Sequence, residues 1–124
     1  MRPEEKIQCE FFKYLRLQYP NVVAISEASG LRVSTGMAMK LKRMRSDHTQ
    51  LDVIILEPRG KYHGLVIELK AKNIFKKNGE LLKDQHLHDQ QKTIDLLNSK
   101  GYYATFACSL DEAIEVLDRY MNAK

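Results

Sequence analysis

Residues 51–70 read LDVIILEPRGKYHGLVIELK, two apolar runs separated by a segment that contains one proline and two glycines. Apolar runs of this length and β-branched content predict buried strands over 51–56 and 65–70. The proline and glycines between them predict a hairpin connection. We therefore expect two neighbouring strands that pair antiparallel, with the remaining elements on either side of them.

Two acidic residues, Asp52 and Glu68, stand within these apolar runs. Charged side chains are disfavoured in buried strands, so their presence there needs a reason. Because side chains alternate along a strand, Glu68 and Lys70 are predicted on one face, with Ile67 and Leu69 packed on the other. Two carboxylates on adjacent strands can share one cation.

These side chains indicate a particular chemistry. Asp52 and Glu68 carry the hard oxygen ligands that Mg²⁺ prefers, and the carbonyl of Leu69 could supply another. A bound Mg²⁺ ion would polarise a phosphodiester and lower the pKa of a coordinated water, while Lys70 would position that water or offset negative charge at phosphorus. The pattern indicates hydrolysis without an organic cofactor; the alternative is a surface ion pair between Glu68 and Lys70 on an exposed edge strand.

The elements on either side of the hairpin follow from hydrophobic spacing and from helix start and stop residues. Helices are predicted over 4–19, 34–45 and 84–100, and a fourth after Ser109; strands are predicted over 21–26 and 102–108. The order is helix, strand, basic helix, strand, strand, helix, strand, helix, which is an α/β pattern. At this length we expect residues 1–124 to form a single domain.

The basic charge is clustered, although the net charge is only +4, with 20 Lys and Arg against 16 Asp and Glu. One cluster lies in the helix over 34–45, and the other lies over 70–83, a segment predicted to end in an exposed loop. Stretches of this kind suit a polyanion, although a solvated surface has the same composition. The two clusters comprise Lys40, Lys42, Arg43 and Arg45, and Lys70, Lys72, Lys76, Lys77 and Lys83.

Other features predict less. Met37, Met39 and Met44 are expected to fill the core, and His86 and His88 are expected at the surface, because a two-residue spacing puts them about 200° apart around a helix. The sequence lacks the basic start and apolar run of a signal peptide, and no apolar stretch approaches ~18 residues. We therefore expect a cytoplasmic protein with no membrane partner.

The arrangement of Asp52, a hairpin and then Glu68-Leu69-Lys70 resembles the PD-(D/E)XK nuclease motif, and more narrowly the stand-alone, phage-type VRR-NUC domain. Two departures are visible: Thr49-Gln50-Leu51 stand where the family usually has a proline before the aspartate, and the loop over 73–83 is long. The similarity includes Glu4-x-x-Ile7-Gln8, Gly30-Leu31-Arg32, Ile67-Glu68-Leu69-Lys70, a glutamine in the following helix, and Gly101-Tyr102.

The resemblance implies a restriction-endonuclease-like PD-(D/E)XK core, a central mixed sheet flanked by helices, and a site for Mg²⁺, with Mn²⁺ able to substitute. It implies Asp52 and Glu68 as metal ligands and Lys70 as the catalytic lysine. Glu4 would complete the site, with Glu5 and Glu10 as alternatives, and Gln90 would lie beside it, with Gln85 and Gln91 as alternatives. Candidate DNA-contacting residues are Arg32, Lys40, Lys42, Arg43, Arg45 and Lys72.

The resemblance also implies a function. We expect a metal-dependent, structure-specific endonuclease that acts on branched double-stranded DNA, with Holliday-junction resolution as its task and a homodimer as its working form. Candidate dimer surfaces are the helix over 4–19, with Phe11, Phe12, Tyr14 and Leu17, and the strand at Tyr102 and Tyr103. The alternatives are a flap-type or less selective nuclease, and a catalytically idle module that only binds nucleic acid.

Overall fold

The computed structural model describes residues 1–27 and 33–123. Each predicted helix and strand is present there, and the main difference is that the strands are shorter than predicted. In chain order the elements are α1 (Pro3–Gln18), β1 (Ala24–Ser26), α2 (Thr35–Arg43), β2 (Val53–Ile55), β3 (Leu65–Leu69), α3 (Gln85–Ser99), β4 (Tyr103–Ala107) and α4 (Leu110–Met121).

The four strands form one mixed sheet in the order β1-β2-β3-β4. The predicted hairpin is confirmed: β2 pairs antiparallel with β3, with Val53 opposite Ile67 and Ile55 opposite Leu65. Strand β4 runs parallel to β3, and α3 forms the crossover that a parallel connection requires. Because β3 has a neighbour on each side, it is a central strand, and all five of its residues are buried.

Helices cover both faces of the sheet, as predicted for this fold class. Leu65, Ile67 and Leu69 of β3 pack in one apolar cluster with residues of α1 and α4. Val66 packs in a second cluster with residues of α3. Since side chains alternate along the strand, Glu68 points to the same side as Val66, towards α3. The predicted alternation along β3 is therefore confirmed.

The basic helix α2 differs from the prediction. It begins after Ser34, whose Oγ accepts a hydrogen bond from the backbone N–H of Met37 at 3.1 Å. Met37, Met39 and Met44 are 45%, 57% and 75% exposed, so the prediction that they fill the core is wrong. A helix buries its apolar stripe only where another element faces it, and α2 has no extensive contact with another element of the described chain.

The segment over 73–83 is also more ordered than an exposed loop. Ile74 is buried in the cluster beneath α3, and Phe75 and Leu81 form an isolated antiparallel bridge. Its lysines remain exposed, as predicted. Among the described residues, no helix is both long enough and apolar enough to cross a membrane.

The turn that joins α3 to β4 depends on the backbone conformation of Gly101. Its φ is 93°, and a Cβ added there would lie 2.7 Å from Cδ2 of His63. We expect Gly101→Ala to lower the free energy of unfolding by about 1–3 kcal/mol, because it combines a left-handed backbone with a steric overlap. Urea unfolding followed by circular dichroism measures this change.

Gly36 is the matched control, since it lies in exposed α2 and a Cβ there would have nothing within 4 Å. We expect Gly36→Ala to be neutral or to stabilise the protein by up to about 1 kcal/mol, because alanine favours the helix. Equal effects of the two substitutions would show that the turn at Gly101 is not constrained in this way.

Candidate active site

Asp52 and Glu68 are held side by side by the β2–β3 hairpin. Asp52 lies immediately before β2, and Glu68 lies in β3. The backbone N–H of Leu69 donates to Oδ2 of Asp52 at 2.9 Å, and the backbone N–H of Asp52 donates to Oε1 of Glu68 at 3.2 Å. Each strand thus orients the acidic side chain contributed by the other.

Lys70 completes this group. Its Nζ lies 3.5 Å from Oε2 of Glu68, and the two side chains are only 14% and 6% exposed. The alternative of a surface ion pair on an edge strand is therefore wrong, because β3 is a central strand and the pair is largely enclosed. Enclosing two charges carries a desolvation cost that exposed pairs avoid, so stability alone does not account for them.

The environment of Glu68 changes its protonation. Burial raises the pKa of this carboxyl from 4.5 to about 8, and the adjacent charge of Asp52 and a hydrogen bond with it act in the same direction. Lys70 lowers the pKa of Glu68 by a smaller amount. Without a metal, Glu68 therefore holds a proton at neutral pH, which a divalent cation would displace.

A cleft of about 230 Å³ opens over this group. Five carboxyl groups line it against two cationic side chains, so the cleft by itself repels a phosphate. Its lining residues are Arg2, Glu4, Glu5, Gln8, Glu27, Asp52, Glu68, Leu69, Lys70 and His86. A larger cavity of about 660 Å³, beside Tyr102 and Tyr103 near the start of β4, is lined by no carboxylate.

Helix α1 brings acidic residues to the cleft from its first turn. Glu4 is exposed and Glu5 is half-buried, and both line the cleft. Glu5 also lies 4.0 Å from Arg2. Glu10 is exposed and does not line the cleft, so the geometry leaves Glu4 and Glu5 as the candidates from α1.

The three glutamines of α3 have different surroundings. Gln90 is buried, at 3% exposure, and its Nε2 lies 3.2 Å from Nε2 of His86. Gln85 and Gln91 instead bond to acidic side chains one turn further along the helix, at 2.8 and 2.9 Å. Gln90 is therefore the glutamine that contacts a side chain of the cleft.

Four residues of the cleft lack a role in the sequence-based site: Arg2, Gln8, Glu27 and His86. Gln8, which entered only as part of the family pattern, donates from Nε2 to Oγ of Ser26 and to the backbone carbonyl of Asp52, the latter at 3.4 Å. His86 is exposed, as predicted, and it also lines the cleft. Its four-residue spacing from Gln90, which places both on one side of α3, is the signal that could have identified it.

The candidate DNA-contacting residues lie outside the cleft. Lys40, Lys42 and Arg43 are exposed on α2, Arg45 follows that helix and is half-buried, and Lys72 is exposed beyond β3. Arg32 and the Gly30-Leu31-Arg32 pattern lie outside the described residues. The basic clusters thus lie mainly on surfaces away from the carboxylates that line the cleft.

The carboxylate oxygens of the cleft fit a metal ion that keeps part of its hydration shell. Within 1–27 and 33–123, no group of three or more His, Cys, Asp or Glu side chains is arranged to hold a metal ion. Asp52 and Glu68 therefore provide two carboxylates, and water and phosphate would fill the remaining positions, as is common for Mg²⁺. The acidic excess of the cleft favours binding of a cation, which has to displace the proton that the raised pKa of Glu68 retains.

The raised pKa of Glu68 predicts how stability depends on pH. Between about pH 5 and about pH 8, the folded metal-free protein holds a proton at Glu68 that the unfolded chain, with its ordinary pKa of 4.5, has released. Its free energy of unfolding should therefore fall as pH rises through this window. In Glu68→Gln this contribution to the slope should be absent.

Urea unfolding in EDTA at several pH values measures how the free energy of unfolding changes with pH in the wild type and in Glu68→Gln. The two proteins have the same remaining titrating groups, so the difference between their slopes reports on Glu68. Added Mg²⁺ should restore stability to the wild type above neutral pH and should not do so in Glu68→Gln. Parallel pH profiles for the two proteins would show that the Glu68 pKa is close to its ordinary value.

The chain was compared with known proteins by sequence and by structure. A solved structure described as "VRR_NUC domain protein" superposes with a TM-score of 0.66 at 26% sequence identity, covering 98% of this chain and 89% of that chain. No family model and no curated protein matches the sequence. The resemblance of this chain to the VRR-NUC nuclease domain, and with it the PD-(D/E)XK-like fold, is therefore confirmed over nearly its whole length.

Proposed function

We propose that this chain is a metal-dependent DNA endonuclease that hydrolyses phosphodiester bonds in the cleft around Asp52 and Glu68. The observation that carries the proposal is the pair of reciprocally bonded carboxyl groups with the Lys70 ammonium 3.5 Å from Glu68. Similarity to a VRR_NUC domain protein supports a nuclease domain. The finer assignments rest on the chemistry of the cleft.

The side chains have distinct roles in this proposal. The hydrogen bond from Leu69 fixes Asp52, and the bond from Asp52 fixes Glu68, so neither carboxylate has to be ordered when substrate arrives. With Mg²⁺ or Mn²⁺ held by Asp52 and Glu68, the ion would polarise the scissile phosphodiester and acidify a water. Lys70 offsets negative charge at the phosphate in the transition state.

We propose further ligands from the same cleft wall. An α1 glutamate would have to move towards Asp52 and Glu68 when the ion binds, because the described residues hold no group of three such side chains arranged for a metal ion. Glu4 or Glu5 reaches the cleft from α1, and the Leu69 carbonyl adjoins Glu68 in the chain. Gln90 lies behind the wall of the cleft, where it contacts His86. Because five carboxyl groups face two cations there, a phosphate enters only with a cation, which is the physical reason that we propose a metal-dependent reaction.

DNA binding and chemistry are assigned to different surfaces. Lys40, Lys42 and Arg43 on exposed α2 would contact phosphates outside the cleft and release counterions. Arg45 and Lys72 would extend that surface, and Arg32 is proposed with them from its sequence position. This arrangement allows the acidic cleft to select a cation while the basic surface provides affinity for DNA.

Branched double-stranded DNA is the proposed substrate, with the Holliday junction as the first choice. A four-way junction has two-fold symmetry, and a homodimer with two sites meets that symmetry with an isologous contact. Exposed apolar groups are available at both predicted dimer surfaces: Leu17 of α1 is 73% exposed and Tyr103 of β4 is 39% exposed. Phe11 of α1 is fully buried and belongs to the core instead.

Substitutions in the cleft should affect cleavage, whereas substitutions on the basic surface of α2 should affect DNA binding. We expect Glu68→Gln and Asp52→Asn to abolish Mg²⁺-dependent cleavage while preserving DNA binding, because they remove charge from the cleft only. The double variant Lys42→Ala, Arg43→Ala should weaken binding and reduce its salt dependence while retaining cleavage at saturating protein. Labelled four-way, flap and linear DNA, incubated with Mg²⁺ or EDTA, measures both properties.

Glu115→Gln, on the exposed surface of α4 and outside the cleft, is the control for removal of one carboxylate. It should cleave like the wild type. A Glu68 or Asp52 variant that cleaves within about tenfold of the wild-type rate, roughly 1.4 kcal/mol of barrier, would contradict the site assignment. Wild-type activity that persists in EDTA would contradict the metal requirement.

The dimer proposal predicts a mass and a cleavage pattern together. Light scattering coupled to size exclusion at low micromolar concentration should give twice the chain mass of 14.4 kDa. On a cruciform plasmid, paired incision within one binding event should yield linear product directly. A monomer mass, with nicked circles that accumulate and are not converted, would favour the flap-type nuclease instead.

A further inference from the structure

His86 belongs to the wall of the cleft but has no role in the reaction as proposed. It lies in the first turn of α3, where its backbone N–H donates to Oδ1 of the N-cap residue Asp84 at 2.9 Å. Its side chain lines the same cleft as Asp52, Glu68 and Lys70. The start of α3 is thus fixed by its cap, and the imidazole extends from a fixed backbone.

Gln90 determines which nitrogen of this imidazole carries the proton. Its Nε2 lies 3.2 Å from Nε2 of His86, and an amide nitrogen can only donate. With the Gln90 amide in this orientation, Nε2 of His86 accepts, and the proton of the neutral ring lies on Nδ1. Gln90 is 3% exposed and is held among the core residues of α3, so it constrains the ring from a rigid position.

Two further observations concern the hydrogen bonds of this pair and of the cleft around it. Oε1 of Gln90 is buried, and no described residue forms a hydrogen bond with it, although buried amide oxygens are nearly always bonded. Lys70 and Arg2 each lie beside an acidic partner, Glu68 and Glu5, although both cations have further N–H groups, and the Gln8 amide bonds to Ser26 and the Asp52 carbonyl. The contact of His86 with Gln90 is made by Nε2, and no described residue forms a hydrogen bond with its Nδ1, so this nitrogen is available to a substrate.

We propose that His86 is a substrate-binding residue whose Nδ1–H donates a hydrogen bond to a phosphate oxygen of nucleic acid in the cleft, with Gln90 as the residue that positions it. The inference rests on the proposed nuclease function. A phosphate oxygen suits the donor because it is anionic, and the first turn of α3 adds the favourable field of a helix N-terminus. Gln90 would act before substrate arrives, by holding the tautomer that presents this donor.

Cleavage by three variants tests the contact with phosphate. We expect His86→Ala to lower kcat/KM by about tenfold or more, the loss expected for a hydrogen bond to a charged group. His86→Asn should retain much of the activity, since its amide nitrogen can take the place of Nδ1. His88→Ala is the matched control, because His88 lies on the same helix, is exposed and does not line the cleft.

Nitrogen-15 NMR of the imidazole rings tests the positioning without any cleavage. At alkaline pH, where imidazoles are neutral, His86 should show the Nδ1–H form, and Gln90→Met should shift it to the Nε2–H form that free imidazole side chains favour. His88 should show the Nε2–H form in both proteins. An Nε2–H form for His86 in the wild type would overturn the positioning role of Gln90.

The outcomes separate this inference from the function on which it rests. A wild type that cleaves DNA, with His86→Ala equal to His88→Ala, would overturn the inference and leave the nuclease intact. A wild type that cleaves no DNA in Mg²⁺ would overturn the nuclease and the phosphate contact together. Strong loss in His86→Ala with rescue by His86→Asn would support both.

Discussion

The site depends on the enforced proximity of two carboxyl groups, Asp52 and Glu68. The antiparallel register of β2 and β3 and two reciprocal hydrogen bonds hold them together. Like charges in a poorly solvated place are unfavourable, and the structure relieves this by raising the pKa of Glu68 and by placing Lys70 beside it. A divalent cation would relieve it more fully, and this is the reason that we propose an ion held by the two carboxylates.

The sequence was sufficient to predict the hairpin and its acids because their signals are local. Apolar runs, turn residues and the alternation of side chains determine which residues of β3 face α1 and α4, and which face α3. Acidic residues inside such runs are conspicuous because burial disfavours them. The parallel pairing of β4 was expected only through the family resemblance, since pairing between distant strands leaves no local pattern.

Other features depend on tertiary contacts that periodicity does not contain. The methionine stripe of α2 has the spacing of a core helix, but the described chain places no element over it. Glu4 and Glu5 are neighbours, about 100° apart around α1, and both line the cleft. Their spacing in the sequence therefore could not decide which of them completes the site. His86 is exposed, as predicted, but its place at the cleft was missed because it was compared with His88 rather than with Gln90, its neighbour one turn away.

The central claim is that Asp52 and Glu68 together bind one divalent cation, which displaces the proton held by Glu68. Isothermal titration calorimetry of Mn²⁺ into the metal-free protein near neutral pH, repeated in buffers of different ionisation enthalpy, counts the protons released per ion bound. With the Glu68 pKa at about 8, the account predicts release of close to one proton per ion in the wild type and none in Glu68→Gln. Binding without proton release in the wild type, or equal binding by both proteins, would contradict it.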